Sequence, residues 1–409
     1  MSDKKAARVI PIQPAGRSTS SAGALEFHTP LPLSLYVHIP WCVQKCPYCD
    51  FNSHQIREGL PETEYVTALV ADLESALPLI WGRKIGSIFF GGGTPSLLSG
   101  AGLDSLLTAI RTRLPLLPDA EVTLEANPGT VEAGKFAAFR SAGVNRLSLG
   151  IQSFNPAHLQ ALGRIHDDDE ARRAIEIAAR HFDNFNLDLM YGLPGQTLEQ
   201  ALADVEQALA FAPTHLSCYQ LTIEPNTAFA STPPALPESD RCADMQEEIE
   251  ARLAHNGFDH YETSAFARPN RQCRHNLNYW SFGDYLGIGA GAHSKLTLHD
   301  GKNWEVRRQM RWKQPKQYLT QIAAGLPLQD EFSVPPGDLP FEFMMNALRL
   351  NQGFDAALFE ARTSLPLITV ETPLRQAEKE KLIVREPGRI APTKRGQRFL
   401  NRLLEMFLD

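Results

Sequence analysis

Cys42, Cys46 and Cys49 fall within eight residues of a 409-residue chain, inside Tyr36-Val37-His38-Ile39-Pro40-Trp41-Cys42-Val43-Gln44-Lys45-Cys46-Pro47-Tyr48-Cys49. The other three cysteines, Cys218, Cys242 and Cys273, lie far apart. Six cysteines so distributed make no disulfide scaffold, and the crowded three point to metal or redox chemistry in a reducing cytosol. Three thiolates spaced C-x3-C-x2-C leave one iron of a [4Fe-4S] cubane without a protein ligand. The amine and carboxylate of S-adenosylmethionine (SAM) can chelate such an open iron, placing the sulfonium where one electron cleaves a C–S bond to give a 5'-deoxyadenosyl radical. Structural zinc completed by His38 or His54 competes with this reading, but no second CxxC or CxxH half is visible. A bare catalytic thiol is a third reading.

Other residues suited to chemistry follow at intervals. Gly91-Gly92-Gly93-Thr94-Pro95 lets backbone approach a polar ligand, and the absence of a following Lys-Ser or Lys-Thr excludes a nucleotide P-loop. Glu125, Gln152, Asp188 with Gly192-Leu193-Pro194, and Glu224 complete the series.

Each of these positions closes or follows a short β-branched or aromatic run. The runs are 34–39, 85–90, 121–125, 146–151, 185–190 and 215–223, and apolar residues at helical spacing mark helices over 62–80, 101–113, 131–142, 168–182, 197–211 and 238–256. Six strands alternating with helices predict an α/β fold with a parallel sheet and right-handed crossovers. In a barrel all strand C-termini share one face, so the unusual residues would converge on one pocket. Six units rather than eight predict an open, partial (β/α)6 barrel.

Composition adds boundaries rather than a substrate. A hydrophobic share of 43%, a charged share of 21% and a net charge of -7 show no basic excess, so nucleic acid is not expected as a partner. No run approaches a membrane span, and the N-terminus lacks a signal-peptide core, so a cytosolic chain is expected. The Ser-, Gly- and Pro-rich start reads as a mobile tail over 1–30. A barrel over 31–260, a connecting region over 261–335 and a C-terminal domain over 336–409 complete the expected organisation. In that last domain, helices at 341–350 and 355–362, a hairpin at 382–390 turning on Pro387-Gly388, and a helix at 393–408 suggest a winged-helix unit. A lid or partner-docking role is favoured there over DNA binding.

The cysteine spacing with an aromatic before the last Cys, here Tyr48, resembles the radical SAM signature. From residue 34 onward the chain is similar to the oxygen-independent coproporphyrinogen III oxidase group. That resemblance implies a [4Fe-4S] cluster on Cys42, Cys46 and Cys49, and SAM contacts from Tyr36, Tyr48, Gly92, Gly93, Thr94, Glu125, Gln152, Arg164 and Asp188. Arg164 would pair with the methionyl carboxylate.

Two branches of the group differ in residues visible here. The oxidase carries a further Cys two positions after the third, and Phe51 stands there in this chain. Arg274-His275-Asn276-Leu277-Asn278-Tyr279-Trp280 instead matches the H-N-x-x-Y-W pattern of HemW-type haem chaperones. The resemblance then implies His275 as a haem iron ligand, with Cys273 as a nearby alternative, and Tyr279 and Trp280 as flat faces for the porphyrin. It also implies haem transfer to an acceptor, for which a membrane respiratory haemoprotein is a candidate. Peripheral attachment at the inner membrane face and a homodimer are compatible with it. The oxidase, converting propionates to vinyls, remains the alternative. Gly287-Ile288-Gly289-Ala290-Gly291-Ala292-His293 is open between ligand approach and tight packing.

Overall fold

The protein is described from a computed structural model over residues 25–130 and 133–408. Residues 1–24 of the expected tail lie outside the described residues. Six parallel strands, β1 (Leu33–Ile39), β2 (Ile85–Gly92), β3 (Leu116–Ala126), β4 (Arg146–Gln152), β5 (Phe185–Tyr191) and β6 (His215–Gln220), neighbour one another in chain order. The crossovers carry α1 (Glu62–Ile80), α2 (Gly100–Arg113), α3 (Ala133–Ala142), α4 (Asp168–His181) and α5 (Leu198–Ala210), and α6 (Ser239–His255) follows the sixth strand. The expected partial barrel is therefore present, with its last strand ending at 220 instead of 223.

Local chemistry explains these boundaries. Asp167 and Glu170 form a capping box on α4, and Thr197 and Gln200 form one on α5. Along β1, Leu33, Leu35, Val37 and Ile39 enter the apolar core, while the alternate residues Ser34, Tyr36 and His38 take the opposite face. The inner face is polar and internally bonded. Asn186 Nδ2 donates to Asp188 and Ser148 at 2.8 Å each, and Ser217 Oγ donates to Asn186 Oδ1 at 3.1 Å. Buried polar groups matched in this way avoid the cost of unpaired burial.

The sheet is larger than the βα pattern predicts. Beyond β6, β7 (Asp259–Glu262) and β8 (Ala265–Ala267) add antiparallel strands. On the other side of β1, β9 (Asp284–Ile288) adds a seventh parallel strand. Antiparallel β10 (His293–His299), β11 (Trp304–Arg311) and β12 (Leu328–Ser333) complete twelve strands. Residues 284–333 thus continue the barrel sheet rather than merely connecting two domains. Between β8 and β9 lies the short helix α7 (Arg274–Trp280), and α8 (Pro315–Ala323) packs on α1.

The C-terminal unit runs α9 (Leu339–Ala347), β13 (Phe354–Asp355), α10 (Ala356–Thr363), α11 (Glu371–Lys379), β14 (Ile383–Glu386) and β15 (Arg389–Pro392), with sheet order β13-β15-β14. That order of helices and strands is a winged-helix topology. The Pro387-Gly388 hairpin forms, with Gly388 at φ +80°. The helix expected over 393–408 is instead two, Lys394–Arg398 and Leu400–Glu405, broken at Phe399. The expected tail also ends early. Leu25, Phe27 and Leu31 are buried in the C-terminal core, and Phe27 meets Trp304 edge-on at 5.5 Å. Among the described residues, no helix is long and apolar enough to cross a membrane.

Candidate metal and cofactor site

The loop carrying the three cysteines is tied at both ends. Trp41–Cys42 pairs in parallel with His54–Gln55, and His54 N donates to Pro40 O at 2.7 Å. Gly93 N and Thr94 N donate to Ile39 O and Trp41 O, so the glycine run lies alongside the chain entering the loop. Only glycine allows this approach: a Cβ on Gly93 would sit 2.5 Å from Trp41 O, and one on Gly92, at φ +111°, would sit 2.5 Å from the His38 ring.

Each thiol has a polar neighbour. Thr94 Oγ1 donates to Cys42 Sγ at 3.4 Å, Arg164 Nη1 donates to Cys46 Sγ at 3.6 Å, and Ser53 Oγ lies 3.8 Å from Cys49 Sγ. Burial pushes the Cys42 and Cys49 thiols up from the ordinary range, so deprotonation there needs a compensating cation. Among the described residues, no three His, Cys, Asp or Glu side chains converge on a single ion. A tetrahedral zinc needs ligands about 4 Å apart, whereas in a cubane each thiolate binds its own iron. The two candidate zinc histidines are engaged elsewhere. His38 Nε2 donates to Asn52 O at 2.9 Å and its Nδ1 accepts from Tyr36 OH at 3.0 Å, while His54 Nε2 pairs with Asn52 Oδ1 at 3.3 Å.

A cavity of about 380 Å³ opens beside the loop at the C-terminal ends of the strands. Cys42, Cys46, Tyr48, Cys49, Gly92, Gly93, Thr94, Glu125, Gln152, Arg164 and Asp188 all line it, as do Ser53, Ser148, Tyr219 and Glu224. Gln152 ends β4 at φ +70°, an uncommon conformation for a side chain longer than Asn. Glu125 Oε2 accepts from Gly92 N at 3.3 Å. Burial, then the charge of Asp188, pushes Glu125 up to about 8, and burial also raises Asp188. Two such carboxyls are arranged for a ligand that brings positive charge or several hydroxyls. Arg164 Nη2 donates to Gly150 O at 2.7 Å, and its buried Nε has no partner. The three thiols, the glycine cradle and this orphaned donor fit an iron–sulfur cluster with an amino-acid ligand beside it.

Two expectations are displaced. Tyr36 lies beneath the cavity rather than in its wall, under Gly91 and held by His38. The His275 motif is elsewhere altogether. Helix α7 closes the N-terminal end of the barrel, where the Glu121 carboxylate accepts from Arg274 N at 3.0 Å and His275 N at 3.3 Å. The His275 ring is buried inside the barrel, 5.0 Å from Phe89, with Nδ1 3.2 Å from Ser87 Oγ. Tyr279 instead packs on Tyr285 at 5.1 Å, and Arg349 covers Trp280 at 4.4 Å. His275, Tyr279 and Trp280 therefore do not form one open face.

Ser53, Ser148 and Tyr219 line the cavity and were not singled out from the sequence. Serine so close to a cysteine motif carries no distinguishing pattern. Ser148 and Tyr219 follow only from knowing which face of each strand turns inward. The glycine turn 287–293 packs tightly: Cβ atoms at Gly287, Gly289 and Gly291 would meet His293 O, His38 O and Asn52 Nδ2 at 2.1, 2.4 and 2.2 Å.

Two family descriptions match: the radical SAM superfamily over residues 36–208 and the HemN C-terminal domain over 334–399. Together with the sheet and the cysteine loop, they define a radical SAM protein with a HemN-type C-terminal domain. The chain is 49% identical over 378 residues to the heme chaperone HemW of Escherichia coli strain K12, covering 92% of this chain and 98% of that one. It is 50% identical over 382 residues to heme chaperone HemW of Haemophilus influenzae, with the same coverages. Among solved structures it resembles E. coli coproporphyrinogen III oxidase, HemN, a radical SAM enzyme, with a TM-score of 0.78 and 26% identity over 92% of this chain and 90% of that one. The chain belongs to the heme chaperone HemW family.

Proposed function

We propose that this chain is a haem chaperone that holds a [4Fe-4S] cluster on Cys42, Cys46 and Cys49, binds exchangeable SAM in the adjoining cavity and passes haem to an acceptor protein. The wall of that cavity carries the reading. Asp50, Glu125, Asp188 and Glu224 line it against a single basic side chain, Arg164. Burial keeps Glu125 protonated below about pH 8, so an entering cation favours its ionisation, and among the described lining residues no cation beyond Arg164 meets a porphyrinogen bearing several propionates. Phe51, 62% exposed at the rim, stands where the oxidase group has its additional cysteine.

The cluster would supply an electron to a ligand on its open iron. The chain's own residues do the rest. Thr94, Arg164 and Ser53 hold the thiols, Glu125 and Asp188 accept from ribose hydroxyls or an amine, and the free Arg164 Nε is available to a carboxylate. Helix α7 supplies the haem motif. Burial pushes His275 down to about 3, so its imidazole is neutral, the form that ligates iron, and Ser87 at Nδ1 leaves Nε2 for the metal. Burial pushes the Cys273 thiol up to about 12, which disfavours it as a thiolate ligand. Haem access to His275 requires α7 to lift from the barrel end, which also frees Tyr279 and Trp280 for a porphyrin face. A haemoprotein acceptor, peripheral attachment at the membrane and a cluster-dependent homodimer belong to the same proposal.

The test mixes haem-loaded, anaerobically reconstituted protein with an apo-haemoprotein and follows the Soret spectrum of each after separation. Haem moving to the acceptor supports the chaperone. Conversion of coproporphyrinogen to protoporphyrinogen by the same preparation would overturn it in favour of the oxidase.

A further inference from the structure

Two residues inside the cysteine loop, Asn52 and Ser53, are held by contacts that the cysteine spacing does not require. Ser53 is 4% exposed, and its hydroxyl lies 3.8 Å from Cys49 Sγ. Its backbone is fixed as well: Ser53 N donates to Phe51 O at 2.7 Å, and Lys45 Nζ donates to Ser53 O at 3.3 Å.

Its neighbour Asn52 has every polar side-chain group engaged. Nδ2 donates to Ala290 O and to Lys313 O at 2.9 Å each, Oδ1 pairs with His54, and the backbone carbonyl accepts from His38. The two carbonyls it reaches belong to the turn after β9 and the segment after β11. The cysteine loop is thereby anchored to the sheet extension, more than 200 residues away in sequence.

We infer that Asn52 and Ser53 act as a positioning pair for the cluster: Asn52 locks the loop onto the β9–β10 turn, and Ser53 donates its hydroxyl to the thiolate of Cys49. This rests on the reading that the three cysteines hold an iron–sulfur cluster. A hydroxyl donor withdraws charge from a thiolate sulfur and favours the reduced cluster, which carries one more negative charge. Loss of that donor shifts the reduction potential negative without removing a ligand. Loss of the anchor loosens the loop and exposes the cluster to solvent and chelator.

The experiment uses the full chain, reconstituted anaerobically, as wild type, Ser53→Ala, Ser53→Thr and Asn52→Ala. Iron and sulfide are assayed, the midpoint potential is followed by EPR, and iron–thiolate stretching modes are recorded by resonance Raman. The pair predicts wild-type iron content with a more negative midpoint and shifted iron–thiolate modes in Ser53→Ala. It predicts recovery of both in Ser53→Thr and at least tenfold faster iron loss to chelator in Asn52→Ala. An unchanged midpoint and unchanged modes in Ser53→Ala, or wild-type iron retention in Asn52→Ala, would overturn the pair while leaving the cysteine ligands standing. A wild type without iron and sulfide would instead overturn the cluster reading itself, and this inference with it.

Discussion

Gly291→Ala tests how the sheet extension holds the cysteine loop. Gly291 has φ +82°, and a Cβ there would lie 2.2 Å from Asn52 Nδ2. Alanine in that left-handed conformation costs about 1–2 kcal/mol. The displaced Asn52 amide also forfeits two hydrogen bonds, to Ala290 O and Lys313 O, each contributing about 1 kcal/mol. The sum, about 3–4 kcal/mol, corresponds to roughly two to three powers of ten in the opening equilibrium of the loop. Hydrogen exchange across residues 43–56 in the cluster-free protein reads that equilibrium directly. Faster exchange confined to this loop and the 289–291 turn, with the remainder of the barrel unchanged, is the expected result. Wild-type protection in the loop would refute the argument that this turn is its anchor.

Three further outcomes follow from the same geometry. Glu125 is pushed up to about 8 from 4.5 by burial and by Asp188, so its contribution to stability is complete below about pH 4.5 and is lost as pH rises through 8; the melting temperature of the cluster-free protein should fall between pH 6 and 9, and Glu125→Gln should flatten that slope. Asp72 is fully buried and accepts from Arg311 Nε, Gly289 N and Tyr318 OH at 3.1, 3.0 and 2.9 Å. Asp72→Ala should therefore cost about 3–5 kcal/mol by stranding the arginine, read as a lower urea midpoint. Phe51→Cys restores the residue type of the oxidase group but adds no cation to the cavity, so it should not confer coproporphyrinogen turnover.

How far the sequence reached depends on what kind of residue carries the burial. The six βα units were legible because Leu, Val and Ile mark the outer face of each strand and apolar residues at three- and four-residue spacing mark the helices. The extension over 284–333 was not, because its buried positions include Ser294, Lys295, Gln309 and Arg311, whose burial is satisfied by ion pairs and hydrogen bonds. Hydrophobic periodicity cannot register such strands. The cavity was legible for a related reason: strand C-termini in a parallel sheet must share a rim, so Glu125, Gln152 and Asp188 had one place to go. The position of α7 was hidden, since its N-terminus is held by Glu121, 153 residues away from Arg274. The burial of Leu25 and Phe27 likewise depends on a C-terminal core that composition at the N-terminus does not reveal.

The central claim is tested most directly by titrating haem into the anaerobically reconstituted protein beside His275→Ala, with iron and sulfide assayed in both. The account predicts about four irons in each, a Soret band that saturates in the wild type, and its loss or marked weakening in the variant. Intact clusters with no haem bound by either protein would contradict the chaperone and return the chain to coproporphyrinogen chemistry.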